Sequence, residues 1–160
     1  MGLKIVIVDD VLTSQQARQI VQFYTQNPDE SNLIDWYTEP NDWQSDLMSL
    51  AQNYFDLSES VGFESWAHVK SHPDWHIDQD EIAKAKGIIE RPLCSIVYYP
   101  LVKLDEGGQF MTETEIIQPK TNRAIIFAPG VLHKVAEWKG SRVSVAINPW
   151  KFIPYSYRHK

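Results

Sequence analysis

The feature that most constrains this fold is a series of short β-branched or aromatic segments that begins after Val61. Gly or Pro bounds these segments, as is typical of strands separated by turns. The pattern predicts eight strands, at about residues 63–70, 75–78, 93–99, 109–112, 115–118, 123–128, 132–138 and 142–150. An alternating β/α fold would need a helix between successive strands, and only the short, charged stretch 80–87 could form one. The pattern therefore favours an antiparallel sandwich or jelly roll.

Two helices are predicted before these strands. Thr13 and Gln16 match the capping-box pattern, and apolar residues then recur at helical spacing as far as Tyr24. A second apolar stripe predicts a helix that begins at Asn41 or Asp42. We therefore expect a mainly β chain (α+β) with its helices packed on one face of a sheet.

Length and composition indicate one domain in a reducing compartment. The 160 residues are enough for a single core, so we expect one domain over 1–160, with a strand and supporting helices in 1–60 and the β core in 61–150. The lone cysteine, Cys94, excludes a disulfide framework. No apolar run approaches the ~20 residues of a membrane span, and no signal peptide is recognisable. These observations predict a cytoplasmic protein without a membrane partner. The net charge of −6 argues against nucleic acid as a partner.

The segment Trp75-His76-Ile77-Asp78 places an imidazole and a carboxylate two residues apart. On a strand these side chains point to the same face, so both could reach one metal ion. A third ligand would complete the two-histidine, one-carboxylate set that suits non-haem Fe(II) and leaves positions open for substrate and oxygen. His133, just after Pro129-Gly130, is the best candidate.

A predicted hairpin connects this site to an arginine. If Lys139-Gly140 is a two-residue turn, strand alternation places several inward residues on one face: His133, Val135, Arg142, Ser144 and Ala146. Arg142 would then lie about 13 Å along the strand from the position opposite His133. A short dicarboxylate held by the metal at one end could span that gap. Arginine suits its far end because the guanidinium binds a carboxylate through two hydrogen bonds.

These residues resemble the Fe(II)- and 2-oxoglutarate-dependent dioxygenases, in particular their small prolyl-hydroxylase-like branch. The resemblance rests on His76-x-Asp78, the distal His133, and Arg142-x-Ser144 nine residues later. Further similar segments are Tyr98-Tyr99-Pro100, Gly107-Gly108-Gln109-Phe110, Phe127-Ala128-Pro129-Gly130 and the run from Arg142 to Trp150. The similarity covers about residues 61–150.

The resemblance implies a double-stranded β-helix, the cupin-like jelly roll, with Fe(II) bound by His76, Asp78 and His133. It implies 2-oxoglutarate and O2 as cosubstrates, with the far carboxylate held by Arg142, Ser144 and Tyr98. The implied activity is hydroxylation of a peptide, protein or amino-acid substrate, with proline as a candidate, and release of succinate and CO2. Family position favours Tyr98 over Tyr99 as the tyrosine that faces the pocket.

Several alternatives stay open at the level of sequence. His68, His72 and His76 are spaced as zinc ligands on a helix would be, but Pro73 interrupts that helix. Arg142 could instead form a surface ion pair with Glu137. A cupin-like metal protein without 2-oxoglutarate chemistry, such as an isomerase or a sensor, and a nucleic-acid demethylase with the same iron chemistry are alternative functions.

Overall fold

Nine strands and three α-helices form the part of the chain that the structure, a computed structural model, describes: residues 2–158. The ends of the predicted 1–160 domain therefore lie outside the described residues. The strands are β1 (Ile5–Asp9), β2 (Asp35–Tyr37), β3 (Gly62–His68), β4 (Ser95–Gly107), β5 (Phe110–Thr112), β6 (Ile116–Ile117), β7 (Arg123–Phe127), β8 (His133–Val135) and β9 (Trp138–Trp150). The α-helices are α1 (Ser14–Gln26), α2 (Asp42–Gln52) and α3 (Glu81–Ala85), and short 3-10 helices cover Pro28–Glu30 and Tyr155–Tyr157.

The strands form two antiparallel sheets. The major sheet has the order β1-β7-β4-β9-β3-β2, and the minor sheet has the order β6-β5-β8. Within the described residues, the N-terminal strands β1 and β2 form the two edges of the major sheet. The sequence patterns do not predict β2, which has three residues. The arrangement of few helices and two antiparallel sheets confirms the predicted mainly β, jelly-roll architecture.

Helices α1 and α2 begin where their capping residues predict. Thr13 and Asn41 are the N-caps, and each forms a reciprocal capping box with the glutamine three residues later. The buried faces of both helices pack on one side of the major sheet, in a cluster that includes Ile20, Leu47 and Val145. No helix within residues 2–158 combines the length and the apolar content that crossing a bilayer requires.

Strand alternation gives the two faces of the major sheet different surroundings. Along β9, Val145 and Ile147 belong to the cluster beneath the helices. Arg142, Ser144 and Ala146 line a cavity on the other face, towards the minor sheet. Successive side chains of one strand therefore serve two separate cores.

The predicted strand over 75–78 does not form. His76 makes only an isolated bridge with His133, through backbone hydrogen bonds of 3.0 Å in both directions. Pro73 accepts a hydrogen bond from the Val135 amide but has no N–H with which to extend the ladder. The segment thus runs beside β8 without becoming part of a longer strand.

The strand predicted over 93–99 is correct in place but too short. Strand β4 continues past Pro100 to Gly107. The register with β9 shifts between Tyr98 and Leu101, which is a bulge at the proline. A bulge tolerates a residue without an N–H, and for this reason Pro100 does not end the strand.

The predicted hairpin turn at Lys139-Gly140 is wrong. Both residues lie inside β9 and pair with Glu106 and Leu104 of β4. Gly140 has φ +115°, and a Cβ there would lie 2.5 Å from the Lys103 carbonyl oxygen. The glycine therefore permits the register shift at this point of the long β4–β9 pairing. Strand β8 pairs with β5 instead of β9.

Candidate metal centre

Three ligand-type side chains converge where the minor sheet meets the loop before α3. One ligand atom from each of His76, Asp78 and His133 lies within 4.8 Å of the others. The Nε2 atoms of His76 and His133 lie 3.3 Å and 3.5 Å from the same carboxylate oxygen, Asp78 Oδ1. The backbone bridge between His76 and His133 places the two rings beside each other, with centroids 4.2 Å apart.

Backbone carbonyls determine which nitrogen of each ring faces Asp78. His76 Nδ1 lies 2.7 Å from the Asp74 carbonyl oxygen, and His133 Nδ1 lies 2.9 Å from that of Val131. A carbonyl can only accept, so each Nδ1 carries a proton, and Nε2 is the nitrogen of each ring that can ligate a metal beside the carboxylate. Two imidazole nitrogens and one carboxylate oxygen form the donor set that suits a divalent transition metal.

Burial and neighbouring charges act on the three ligands in different directions. Burial opposes the charged form of Asp78, but the hydrogen bond to His76 and the field of His133 outweigh it and lower the pKa of Asp78. Burial also opposes the charged form of His76, yet the contact with Asp78 leaves the pKa of His76 raised. Burial lowers the pKa of His133. The carboxylate is therefore ionised and His133 neutral at physiological pH, whereas a bound metal would have to displace the proton that Asp78 favours on His76.

Arg142 lies at another wall of the same cavity and is only 2% exposed. It donates hydrogen bonds from Nη1 to the Gly108 carbonyl, at 3.1 Å, and from Nη2 to Ser144 Oγ, at 2.9 Å. Its guanidinium lies over the Trp138 ring, 4.4 Å from the centroid. Burial lowers the pKa of Arg142.

The Arg142 charge has no carboxylate partner within the described chain. Its Nε atom is buried without a hydrogen bond to any described residue. The alternative ion pair with Glu137 does not form, because Glu137 lies 3.6 Å from His72 instead. A buried cation without a counter-ion is costly, and the position is chemically suited to an anion.

Tyr98, which is predicted to contact the far carboxylate of 2-oxoglutarate, faces away from the cavity. Its hydroxyl donates to Asn122 Oδ1 at 2.6 Å, and its ring belongs to the cluster beneath the helices. Tyr99 points to the opposite face, where its ring lies 5.1 Å from the Arg142 guanidinium carbon. The Tyr99 hydroxyl is buried and makes no hydrogen bond to a described residue. Alternation allows only one of the two adjacent tyrosines to face the site, and that one is Tyr99.

The cavity is also lined by residues that the sequence analysis does not predict there, among them Trp66 and His68. His68 Nε2 accepts from Trp66 Nε1 at 3.1 Å, and burial followed by the Arg142 charge lowers the pKa of His68 to about 4. The helical zinc site of His68, His72 and His76 does not form, since His68 belongs to β3 and residues 71–74 are not helical. The alternation of β3 was the signal that could have placed Trp66 and His68 on the inner face.

The cavity that joins these groups is small, at about 40 Å³. The histidines, Asp78, Arg142 and Ser144 all contribute to its walls, together with Trp66, His68, Pro73, Val97, Phe110, Val135 and Ala146. Phe110 and Phe127 pack on the His133 ring at centroid distances of 5.2 and 4.8 Å. The apolar walls limit the access of water to His133, whereas the His76 side chain is 36% exposed.

Comparison with known proteins identifies the fold. No model of a known protein family matches the chain, and no curated protein matches it by sequence. Among solved structures, a prolyl-4-hydroxylase from Pseudomonas putida superposes with a TM-score of 0.69 at 17% identity, over 95% of each chain. The viral collagen prolyl hydroxylase of Paramecium Bursaria Chlorella virus-1 gives 0.62 at 13% identity, over 89% of this chain and 88% of that one.

A third similar structure is a prolyl hydroxylase in complex with a hypoxia inducible factor peptide fragment from Trichoplax adhaerens. It superposes with a TM-score of 0.62 at 16% identity, over 92% of this chain and 83% of that one. Similarity at these identities shows a shared fold. The chain therefore has the double-stranded β-helix fold that its sequence motifs predict, and its chemistry has to be argued from its own site.

Proposed function

We propose that this protein is an Fe(II)- and 2-oxoglutarate-dependent dioxygenase that hydroxylates a peptidyl or amino-acid substrate. One observation carries the proposal: a two-histidine, one-carboxylate set shares a buried cavity with an arginine that has no counter-ion. The metal ligands account for one end of a chelating dicarboxylate, and Arg142 accounts for the other.

His76, Asp78 and His133 fit Fe(II), because they supply three donor atoms and leave the remaining coordination positions open. Bound iron would supply the reaction in which O2 and 2-oxoglutarate convert a substrate C–H to C–OH with release of succinate and CO2. Arg142 and Ser144 would hold the far carboxylate, and the Tyr99 hydroxyl could donate a further hydrogen bond to it. The ring of Phe110 fixes His133 from one side and shields it from water.

The substrate class follows from analogy of fold. All three of the similar structures are named as prolyl hydroxylases, and one of them is named in complex with a peptide. A peptide or protein that contains proline is therefore the first candidate. A nucleic-acid demethylase with the same iron chemistry is less favoured, because a net charge of −6 repels a phosphate backbone. A cytoplasmic location is part of the proposal, because a single cysteine fits a reducing compartment.

The test has two stages. Anaerobic protein with Fe(II) and 2-oxoglutarate should develop a metal-to-ligand charge-transfer band, which reports chelation of the keto acid. The same protein in air should then form succinate faster with its substrate than without, across a panel of proline-containing peptides, amino acids and nucleotides. Absence of the band in correctly folded, iron-loaded protein would overturn the proposal.

The size of the cavity favours a second candidate function. About 40 Å³ is small beside the roughly 300–1,000 Å³ of typical ligand pockets. Binding of 2-oxoglutarate therefore requires side chains such as Trp66 to move. A metal protein with a smaller anion at Arg142, as in a cupin-like isomerase or sensor, needs less movement. In that case Fe(II) would bind, the charge-transfer band would be absent, and no substrate would stimulate succinate formation.

A further inference from the structure

The two oxygens of Asp78 have separate surroundings. Oδ1 faces both histidine Nε2 atoms. Oδ2 instead accepts two hydrogen bonds, from Ser95 Oγ at 2.7 Å and from Asn148 Nδ2 at 3.2 Å. The carboxylate therefore has one oxygen turned to the candidate metal position and the other held by the protein.

The two donors lie on central strands of the major sheet. Ser95 begins β4 and Asn148 lies near the end of β9, and both are only 2% exposed. Their neighbours Ile96 and Ile147 are paired across these strands, so Ser95 and Asn148 lie beside each other at the end of the ladder. Asp78 itself belongs to no strand. The central sheet thus fixes a carboxylate that its own loop does not fix.

We propose that Ser95 and Asn148 are positioning residues that make Asp78 a ligand through a single oxygen. The inference rests on the iron site of the proposed function. A carboxylate can bind a metal through one oxygen or two, and the second mode would fill a position needed by the cosubstrate or by oxygen. With two hydrogen bonds on Oδ2, rotation of Asp78 into the two-oxygen mode would break both.

If Ser95 and Asn148 had only a structural role, their substitution would give a different set of effects. Ser95 and Asn148 would then affect the free energy of unfolding but not the coordination of a bound metal. The chain offers a matched control in Ser65, on β3 of the same sheet. Its hydroxyl is also buried, makes no hydrogen bond to a described residue, and lies on a residue that alternates with the cavity-lining Trp66.

The experiment uses Co(II) as a spectroscopic probe for the metal position, without 2-oxoglutarate. The variants are Ser95→Ala, Asn148→Ala, the double variant, Ser95→Thr and Ser65→Ala. We expect the double variant to bind Co(II) roughly 10- to 100-fold more weakly than the wild type, with changed visible absorption bands. Ser65→Ala should match the wild type, and Ser95→Thr, which keeps a hydroxyl, should recover most of the affinity. Thermal melting identifies variants that are folded, and the single variants serve if the double variant is not.

The outcomes separate this inference from the proposed function. Equal Co(II) affinity and identical spectra in the wild type and the folded Ser95 and Asn148 variants would overturn the positioning role and leave the iron site intact. Failure of the wild type to bind Co(II) or Fe(II) would overturn both. A loss of affinity in Ser65→Ala as large as in Ser95→Ala would also overturn the role, since the effect would then not depend on contact with Asp78.

Discussion

The two faces of the major sheet are built from the same strands but differ in the polarity of their buried side chains. The helix face is the one covered by α1 and α2, and the inner face is the one towards the minor sheet. The face beneath α1 and α2 is mainly apolar: the Tyr98 hydroxyl on β4 is satisfied by Asn122, and the Ser65 hydroxyl on β3 is buried without a hydrogen bond to a described residue. The opposite face buries Arg142, Tyr99 and Asn148, and each of these has at least one polar atom without a hydrogen bond to a described residue. Most of the buried polar atoms of the major sheet that lack partners among the described residues therefore lie on the second face. Such groups are costly, and their accumulation on one face is what a binding site would produce.

Among substitutions on the inner face, removal of the Asp78 carboxylate should have the largest effect on metal binding. We expect Asp78→Ala to abolish measurable binding of Fe(II) or Co(II), because the site loses its only anionic ligand among the described residues. Titration followed by absorption or calorimetry measures this. Asp74→Ala is the control, since the Asp74 side chain is exposed four residues away and should leave binding unchanged. Metal affinity retained in Asp78→Ala would place the site elsewhere.

A cavity created by mutation on the helix face should lower the stability of the protein without changing its metal affinity. Leu47 of α2 is fully buried against the major sheet, so Leu47→Ala should lower the free energy of unfolding by about 2–5 kcal/mol. Urea denaturation measures the loss. The Co(II) affinity of the folded variant should equal that of the wild type. If the affinity fell as well, the two faces would not be independent.

Replacement of the buried cation should separate binding from stability. Arg142→Met should weaken binding of 2-oxoglutarate by roughly 10- to 100-fold, the value of a charge-assisted contact. Its free energy of unfolding should not fall, because a buried charge without a counter-ion is exchanged for an apolar side chain of similar size. Arg123→Met is the matched control, because Arg123 lies outside the cavity and donates a hydrogen bond to Asp9 at 2.7 Å. This variant should be less stable than the wild type and should bind 2-oxoglutarate with unchanged affinity. The opposite pattern would refute the assignment of Arg142.

A pH titration should reveal the buried histidine of the inner face. The pKa of His68 is lowered to about 4, whereas an unfolded histidine titrates near 6.5. Between these values the unfolded state binds more protons, so stability falls as the pH is lowered through this window, by up to about 1.4 kcal/mol per pH unit from this residue. Urea denaturation at several pH values should show a shallower fall in His68→Gln. Equal slopes in both proteins would show that His68 does not carry the effect.

Substitution of the two adjacent tyrosines should give the smallest effects, and the two variants should differ in which property changes. Tyr98→Phe should cost about 1 kcal/mol of stability, because the bond to Asn122 is lost, and should leave cosubstrate binding unchanged. Tyr99→Phe should cost less stability, since the buried hydroxyl adjoins the Arg142 guanidinium without forming a well-aligned hydrogen bond, but it should weaken the binding of 2-oxoglutarate. Parallel denaturation and charge-transfer titrations test both variants. A binding defect in Tyr98→Phe alone would reverse the assignment of faces.

The sequence determined the kind of fold and the identity of the converging residues. Capping residues located α1 and α2, and Gly- and Pro-bounded apolar runs located most strands to within a few residues. The His76-x-Asp78 and Arg142-x-Ser144 spacings, together with the resemblance to the dioxygenases, indicated that His76, Asp78, His133, Arg142 and Ser144 belong together, and all five line one cavity. Such features are local or periodic, and the chain carries them in its residue types.

Tertiary structure decided how these residues meet. The pattern predicted a hairpin between β8 and β9, whereas His133 and Arg142 approach each other from facing sheets. A glycine with positive φ can form a turn or a bulge, and only the pairing of β9 with β4 decided between them at Gly140. Likewise, alternation required one of Tyr98 and Tyr99 to face the site, but the packing of α1 and α2 on the opposite face decided which. Spacing along a chain defines neighbours on one element, whereas contacts between sheets depend on how the whole chain packs.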